Sequence, residues 1–146
     1  MFAQLTVLLA GATLASFASE TPVQMKDLPE PVQKTVKELI KTAKLRGLNK
    51  EVENGKTSYE AETTLNGKSR DVEMDASGVI VEVEEAAELS GIPPAARKAL
   101  ETSAGAGKIL KVESVTQGKT VSYEAVVEKN GKKSEVSVSA DGVVKK

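Results

Sequence analysis

Three observations predict an α+β fold built of two tandem repeats, each one α-helix followed by a four-stranded antiparallel meander, with the helices packed on one sheet face. The stretch from Ser58 to Ile80 returns 64 residues later at Ser122 to Val144 with 11 of 23 positions identical, and self-similarity at a fixed period marks repeated supersecondary units. An apolar pattern of helical period precedes each copy. Each copy also carries three X-Gly turn signals between alternating segments.

The chain opens with 18 uncharged residues, of which Leu5 to Ala18 form an apolar run ending in Ser16-Phe17-Ala18. Small residues at the −3 and −1 positions of a cut after Ala18 predict a signal peptide. The run is shorter than the about 20 residues a membrane span needs. The expected organisation is residues 1–18 as signal peptide, 19–27 as a polar lead-in, 28–87 as repeat one and 88–146 as repeat two. The mature protein is then periplasmic or secreted, with no membrane insertion once the signal is removed.

Leu28-Pro29-Glu30-Pro31 suits an extended entry into a first helical turn, where proline's missing N–H costs nothing. Val32, Val36, Leu39, Ile40 and Ala43 then make one apolar face, and the helix is expected to end near Thr42. The second helix is predicted from Pro93 to about Ala104, with a thin inner face of Ala96, Ala99 and Leu100. After the helices, Asn54-Gly55, Asn66-Gly67, Ser77-Gly78, Gln117-Gly118, Asn130-Gly131 and Asp141-Gly142 mark hairpins, because glycine supplies the positive φ that primed turns require. The strands are predicted at 45–53, 57–65, 69–75 and 79–84, and again at 109–116, 119–129, 133–139 and 143–146. A repeat of about 64 residues is marginal alone, so both helices and both sheets are expected to stack into one cooperative body.

The turns also fix register. Tyr59 is placed opposite Met74 and Ala61 opposite Val72, with Val81 and Val83 continuing those rows; Tyr123 faces Val138 and Ala125 faces Val136. These rows form the core face. On the other face Glu60 lies beside Glu73 and Glu73 beside Glu82, while Glu62, Asp71 and Glu84 form a second row. Like charges directly opposite destabilise a sheet, so these six carboxylates are the candidate site, either for a basic protein surface or for weak binding of a divalent cation.

Composition narrows the chemistry. With no Cys and no His there is no thiolate, no Cys/His zinc site, no Ser-His-Asp triad and no imidazole acid or base, so no enzyme, no catalytic residue and no cofactor is predicted. The net charge of −1 gives no global field towards nucleic acid or an anionic membrane. It is unevenly divided, however: residues 22–87 hold 10 Lys/Arg against 13 Asp/Glu, and residues 88–146 hold 10 against 7.

The motif Leu28-Pro29-x-x-Val32, Gly55-Lys56-Thr57-x-Tyr59-Glu60-Ala61, Asn66-Gly67-Lys68 and Val72-x-Met74-Asp75-x-x-Gly78-Val79, repeated in the second half, resembles the PepSY-like family. More narrowly it resembles the small periplasmic proteins grouped as β-lactamase-inhibitor-like PepSY-like domains. The resemblance covers Leu28 to Lys146 and implies a helix on an antiparallel sheet, an extracytoplasmic location and a role in binding or restraining other proteins, peptidases in particular. It supplies no catalytic residue. The function expected is a non-catalytic protein-binding module, with a protein partner and no nucleic acid; the alternative is a periplasmic binder of cations or small ligands.

Overall fold

Asn54-Gly55, Asn66-Gly67 and Asn130-Gly131 each have both residues at positive φ, the requirement of a type I′ turn, whose twist matches that of the strands it joins. These hairpins recur along one meander in the computed structural model, which describes residues 20–145. The predicted signal peptide therefore lies outside the described residues.

The elements in order are β1 (Thr21–Pro22), α1 (Glu30–Leu39), β2 (Lys44–Glu53), β3 (Lys56–Leu65), β4 (Lys68–Asp75), β5 (Ile80–Ala86), α2 (Pro94–Ala104), β6 (Lys108–Gln117), β7 (Thr120–Lys129) and β8 (Lys132–Ser139). Two short 3-10 turns, Met25–Asp27 and Leu89–Gly91, lead into the helices. All eight strands form one antiparallel sheet in sequence order. This corrects the expected fold class: there are not two repeats with a meander each, but one continuous sheet carrying two helices. The reason is β5, which pairs with β6 from Val83↔Thr116 to Ala86↔Glu113 and so satisfies backbone groups that would otherwise form two bare edges. The seam is short, four residue pairs against nine between β2 and β3.

Four smaller expectations are also corrected. Helix α1 ends at Leu39 rather than Thr42, because Thr42 and Ala43 both donate to the Leu39 carbonyl and tighten the exit into a turn. The expected strand at 143–146 reduces to a bridge, Val138↔Val144, flanked by bonds from Ser139 N–H to Val143 O and Lys145 N–H to Ser137 O. A bulge between Glu73 and Met74 places Ile80, not Val81, opposite Met74, and Val81 is left 40% exposed. The edge strand β1, which pairs with Lys50 and Asn49, carries no apolar alternation and was not foreseen.

Both helices cover the same face. Val32 and Val36 of α1 are fully buried on Leu48, Ala61, Val72 and Met74, and Leu28 closes the top of that cluster. Ala96, Leu100 and Ala104 of α2 pack on Val112, Ala125, Val127 and Val138. Tyr59 and Tyr123 border the two clusters, half-buried. Each helix is further pinned at its N-terminal end by a turn glycine. A Cβ on Gly78 would lie 2.5 Å from the Pro31 carbonyl oxygen, and one on Gly142 would lie 2.6 Å from that of Ala95. Thr35 Oγ1 also donates to Gly78 O at 2.7 Å. No helix among the described residues is long and apolar enough to cross a membrane.

Candidate functional site

The face without helices is concave and acidic. Alternation along each strand sends every second side chain there, and on β3, β4 and β5 these are Glu60 and Glu62, Asp71 and Glu73, and Glu82 and Glu84. The pairs are Glu60↔Glu73, Glu62↔Asp71, Glu73↔Glu82 and Asp71↔Glu84, so all six residues singled out in the sequence line one concavity of about 460 Å³.

The sequence reading missed four further carboxylates lining the same space: Glu20, Glu51 on β2, Glu113 on β6 and Glu135 on β8. Glu113 is directly opposite Glu124 and diagonal to Glu84 across the β5–β6 seam. Its detection depended on knowing that the sheet is continuous. Among the described residues, ten carboxylates thus share a concavity whose only basic lining residue is Lys111.

Two cations reach these carboxylates from within the protein, Arg46 from a β-bulge and Lys111 from a regular strand position. A register shift between Leu45 and Gly47 leaves Arg46 as the extra residue on β2. Its guanidinium reaches Asp71 Oδ1 at 2.6 Å and Ser69 Oγ at 2.7 Å through Nη2, and Thr63 O at 3.2 Å through Nε. Glu62, 3.9 Å from Arg46, is also fixed by Asn49 Nδ2 at 2.8 Å. The matching shift on β6 leaves Leu110 as the extra residue; Lys111, paired with Val126 and two residues before Glu113 on the same face, places its Nζ 2.5 Å from Glu113 Oε1. Bulges commonly re-aim a side chain as the one on β2 does for Arg46.

These two cations do not offset the crowding of the carboxyls, and Glu82 is held by Gln117 Nε2 instead. Burial, reinforced by Glu20, Asp71, Glu51 and Glu62, pushes the Glu60 pKa from its ordinary 4.5 up to about 8. Burial and then Glu113, Glu82 and Glu124 push Glu84 to about 8, and burial and then Glu135 push Glu124 to about 7. Glu51 is raised by burial, Glu73 and Glu20. Desolvation and like charge both disfavour the ionised form, and here they act together. For Lys111 burial opposes the charge, but the hydrogen bond and charge of Glu113 outweigh it and raise its pKa. Chemically, the face is an array of hard oxygen acceptors, partly protonated near neutral pH and short of positive charge.

No protein-family model matches the chain, and no curated protein matches it. Solved structures do. A BLIP-like protein from Bacteroides fragilis superposes with a TM-score of 0.58 at 21% identity, over 86% of this chain and 84% of that one. A DUF2874 family protein from Bacteroides ovatus gives 0.63 at 20% identity, over 82% and 85%. This chain has the fold of the DUF2874 and BLIP-like proteins. A protein from Bacteroides eggerthii, described provisionally as periplasmic, shares it with a TM-score of 0.66 at 20% identity, over 80% and 85%.

Proposed function

We propose that this chain is a non-catalytic, extracytoplasmic binding module of the PepSY-like, β-lactamase-inhibitor-like kind, whose acidic concavity receives a basic surface of a protein partner and restrains that partner, an envelope or secreted enzyme such as a peptidase. The observation that carries the reading is the convergence, among the described residues, of ten carboxylates on one concave face with a single lysine among them. Such a face is electrostatically costly alone and is relieved by an incoming cation. Complementary charge gives both fast encounter and selectivity. The periplasmic description of one structural neighbour and the BLIP-like description of another support the compartment and the binding role. The apolar run from Leu5 to Ala18 supports export.

The test is capture from an envelope extract, using the parent and a Glu60→Gln, Glu73→Gln, Glu84→Gln variant. A saturable protein partner held by the parent and released by the variant is expected. Equal capture by both would move the binding surface elsewhere.

A second reading has its own observation. Carboxylate oxygens of Glu20, Glu51 and Glu60 lie within 4.8 Å of one another, a spacing that one ion can bridge with the 2.3–2.6 Å bonds typical of Ca²⁺. Here a Ca²⁺ titration should raise the melting temperature of the parent and leave a Glu51→Gln variant unmoved. An unchanged melting curve for the parent at about 1 mM Ca²⁺ rules the site out, because sites as weak as roughly 10⁻⁴–10⁻³ M respond there.

A further inference from the structure

The net charge of −1 conceals a second electrostatic feature, at one end of the sheet. Strands β2, β4, β6 and β8 begin there, β3, β5 and β7 end there, and the terminal residues include Lys44, Lys68, Lys108, Lys129 and Lys132, all exposed. The β7–β8 hairpin is the densest part. Lys129 pairs with Lys132, and Glu128 lies between Lys133 on one side and Lys108 on the other. Four lysines thus share three neighbouring strand ends with one glutamate, across about 10 Å at the usual strand spacing. Among the described residues, neither these four nor Lys44 and Lys68 come within ion-pair distance of a carboxylate.

Lysines on an edge strand discourage edge-to-edge pairing, which accounts for Lys132 and Lys133 on β8. It does not account for Lys68, Lys108 and Lys129, which lie on the internal strands β4, β6 and β7. The opposed pair Lys129 and Lys132 also costs stability, since like charges face each other across the hairpin. The residue type is informative as well. Arg46, Arg70 and Arg97, the chain's three arginines, are all in ion pairs within the protein, whereas the cations left without an ion pair at this end, among the described residues, are lysines. An ammonium on a flexible stem has no fork to match one carboxylate or phosphate, and suits a diffuse field of anions. Both tyrosines border the helix-covered clusters, so among the described residues this end has no aromatic platform for stacked nucleobases.

We propose that this lysine-lined end, centred on the β7–β8 hairpin, docks the protein peripherally on a bilayer bearing anionic lipid headgroups, with the sheet standing end-on. In that pose the acidic concavity opens sideways along the membrane instead of into it. Docking is therefore independent of what the concavity binds.

The test is sedimentation of the full chain with phosphatidylcholine vesicles and with vesicles containing roughly 30% phosphatidylglycerol, at low salt and at about 0.15 M salt. The zwitterionic vesicles report whatever the apolar stretch Leu5 to Ala18 contributes. Binding to the anionic vesicles should exceed that level and fall with salt. Lys129→Ala, Lys132→Ala, Lys133→Ala should weaken it about 100-fold, roughly fivefold per lysine. Lys26→Ala, Lys56→Ala, Lys119→Ala, at the opposite end, should leave it within about twofold. Both variants should fold as the parent does, because all six side chains are exposed, and the first should melt slightly higher through relief of the Lys129–Lys132 repulsion. Equal binding to both vesicle types, or an equal loss in the two variants, overturns the proposal. So does binding confined to heparin or duplex DNA, which would assign the lysines to a soluble polyanion.

Discussion

Glu60 on β3 lies directly opposite Glu73 on β4, with Asn49 opposite it on β2, so a carboxyl on a central strand has another acid as its neighbour and no cation beside it. Burial, and then the charges of Glu20, Asp71, Glu51 and Glu62, raise its pKa to about 8. A carboxyl whose pKa is higher folded than unfolded binds more protons when folded, so its stabilising contribution is present in full at low pH and is lost as pH rises. The window runs from the ordinary 4.5 to about 8 for Glu60 and Glu84. The melting temperature should therefore fall between pH 5.5 and pH 8.5, by about 5 °C or more, and Glu60→Gln should flatten the slope. Calorimetry across that range checks it. A melting temperature that stays flat across that range would show that these carboxyls ionise normally.

Substitution on the same face should separate stability from binding. Changing Glu73 to Gln and Asp71 to Asn removes like-charge neighbours along both acidic rows, although Asp71 also gives up its bond to Arg46. The double variant should gain roughly 0.5–1 kcal/mol if repulsion outweighs that bond, and should bind its cationic partner more weakly. Chemical denaturation with a parallel binding assay decides the matter. A stabilised variant that binds everything the parent binds would make the face a solubility device.

Ligand uptake should release protons. A cation entering beside Glu60 and Glu84 favours their ionised forms, so its affinity should rise between pH 6 and pH 8.5. The binding enthalpy should depend on the ionisation enthalpy of the buffer. Titration calorimetry in phosphate and in Tris would reveal this, and identical enthalpies would mean that no proton moves.

The halves should unfold together. Each helix covers a separate small cluster, but β5 and β6 join the two in one sheet. The full chain is expected to show a single calorimetric transition, with Leu100→Ala costing about 2–5 kcal/mol. Two resolved transitions would mark independent units.

The turn glycines give the sharpest steric prediction. Gly78 has φ +79° and no room for a Cβ against Pro31, so Gly78→Ala should cost at least about 2 kcal/mol. Gly67, also at positive φ but with open space around it, should cost less on the same substitution. Equal losses would mean that the contact with α1 is unimportant.

Much of this site is legible in the sequence, because two-residue Asn-Gly turns leave little choice of register. Once Asn66-Gly67 is a hairpin turn, Tyr59 must face Met74, and Glu60 must face Glu73 one residue on. The sequence is silent where geometry is set over longer range. Continuity at the β5–β6 seam rests on pairings such as Glu85↔Ser114 and Val83↔Thr116, which no turn specifies, so the approach of Glu113 and Glu135 to the first-half acids was not visible. Nor was Arg46: a bulge moves it to the acidic face, and simple alternation has no way to anticipate the extra residue. Glu20 comes from a lead-in with no periodicity at all.

The four-pair seam carries a mechanical consequence. Glu84 and Glu113 repel diagonally across it, so the shortest interior junction of the sheet is also one that its own charges push apart. The amides of Glu85 and Ser114 should exchange with deuterium faster than those of the β2–β3 ladder. A cation lodged between those carboxylates would act as a rivet, slowing that exchange and stiffening the curvature of the whole trough.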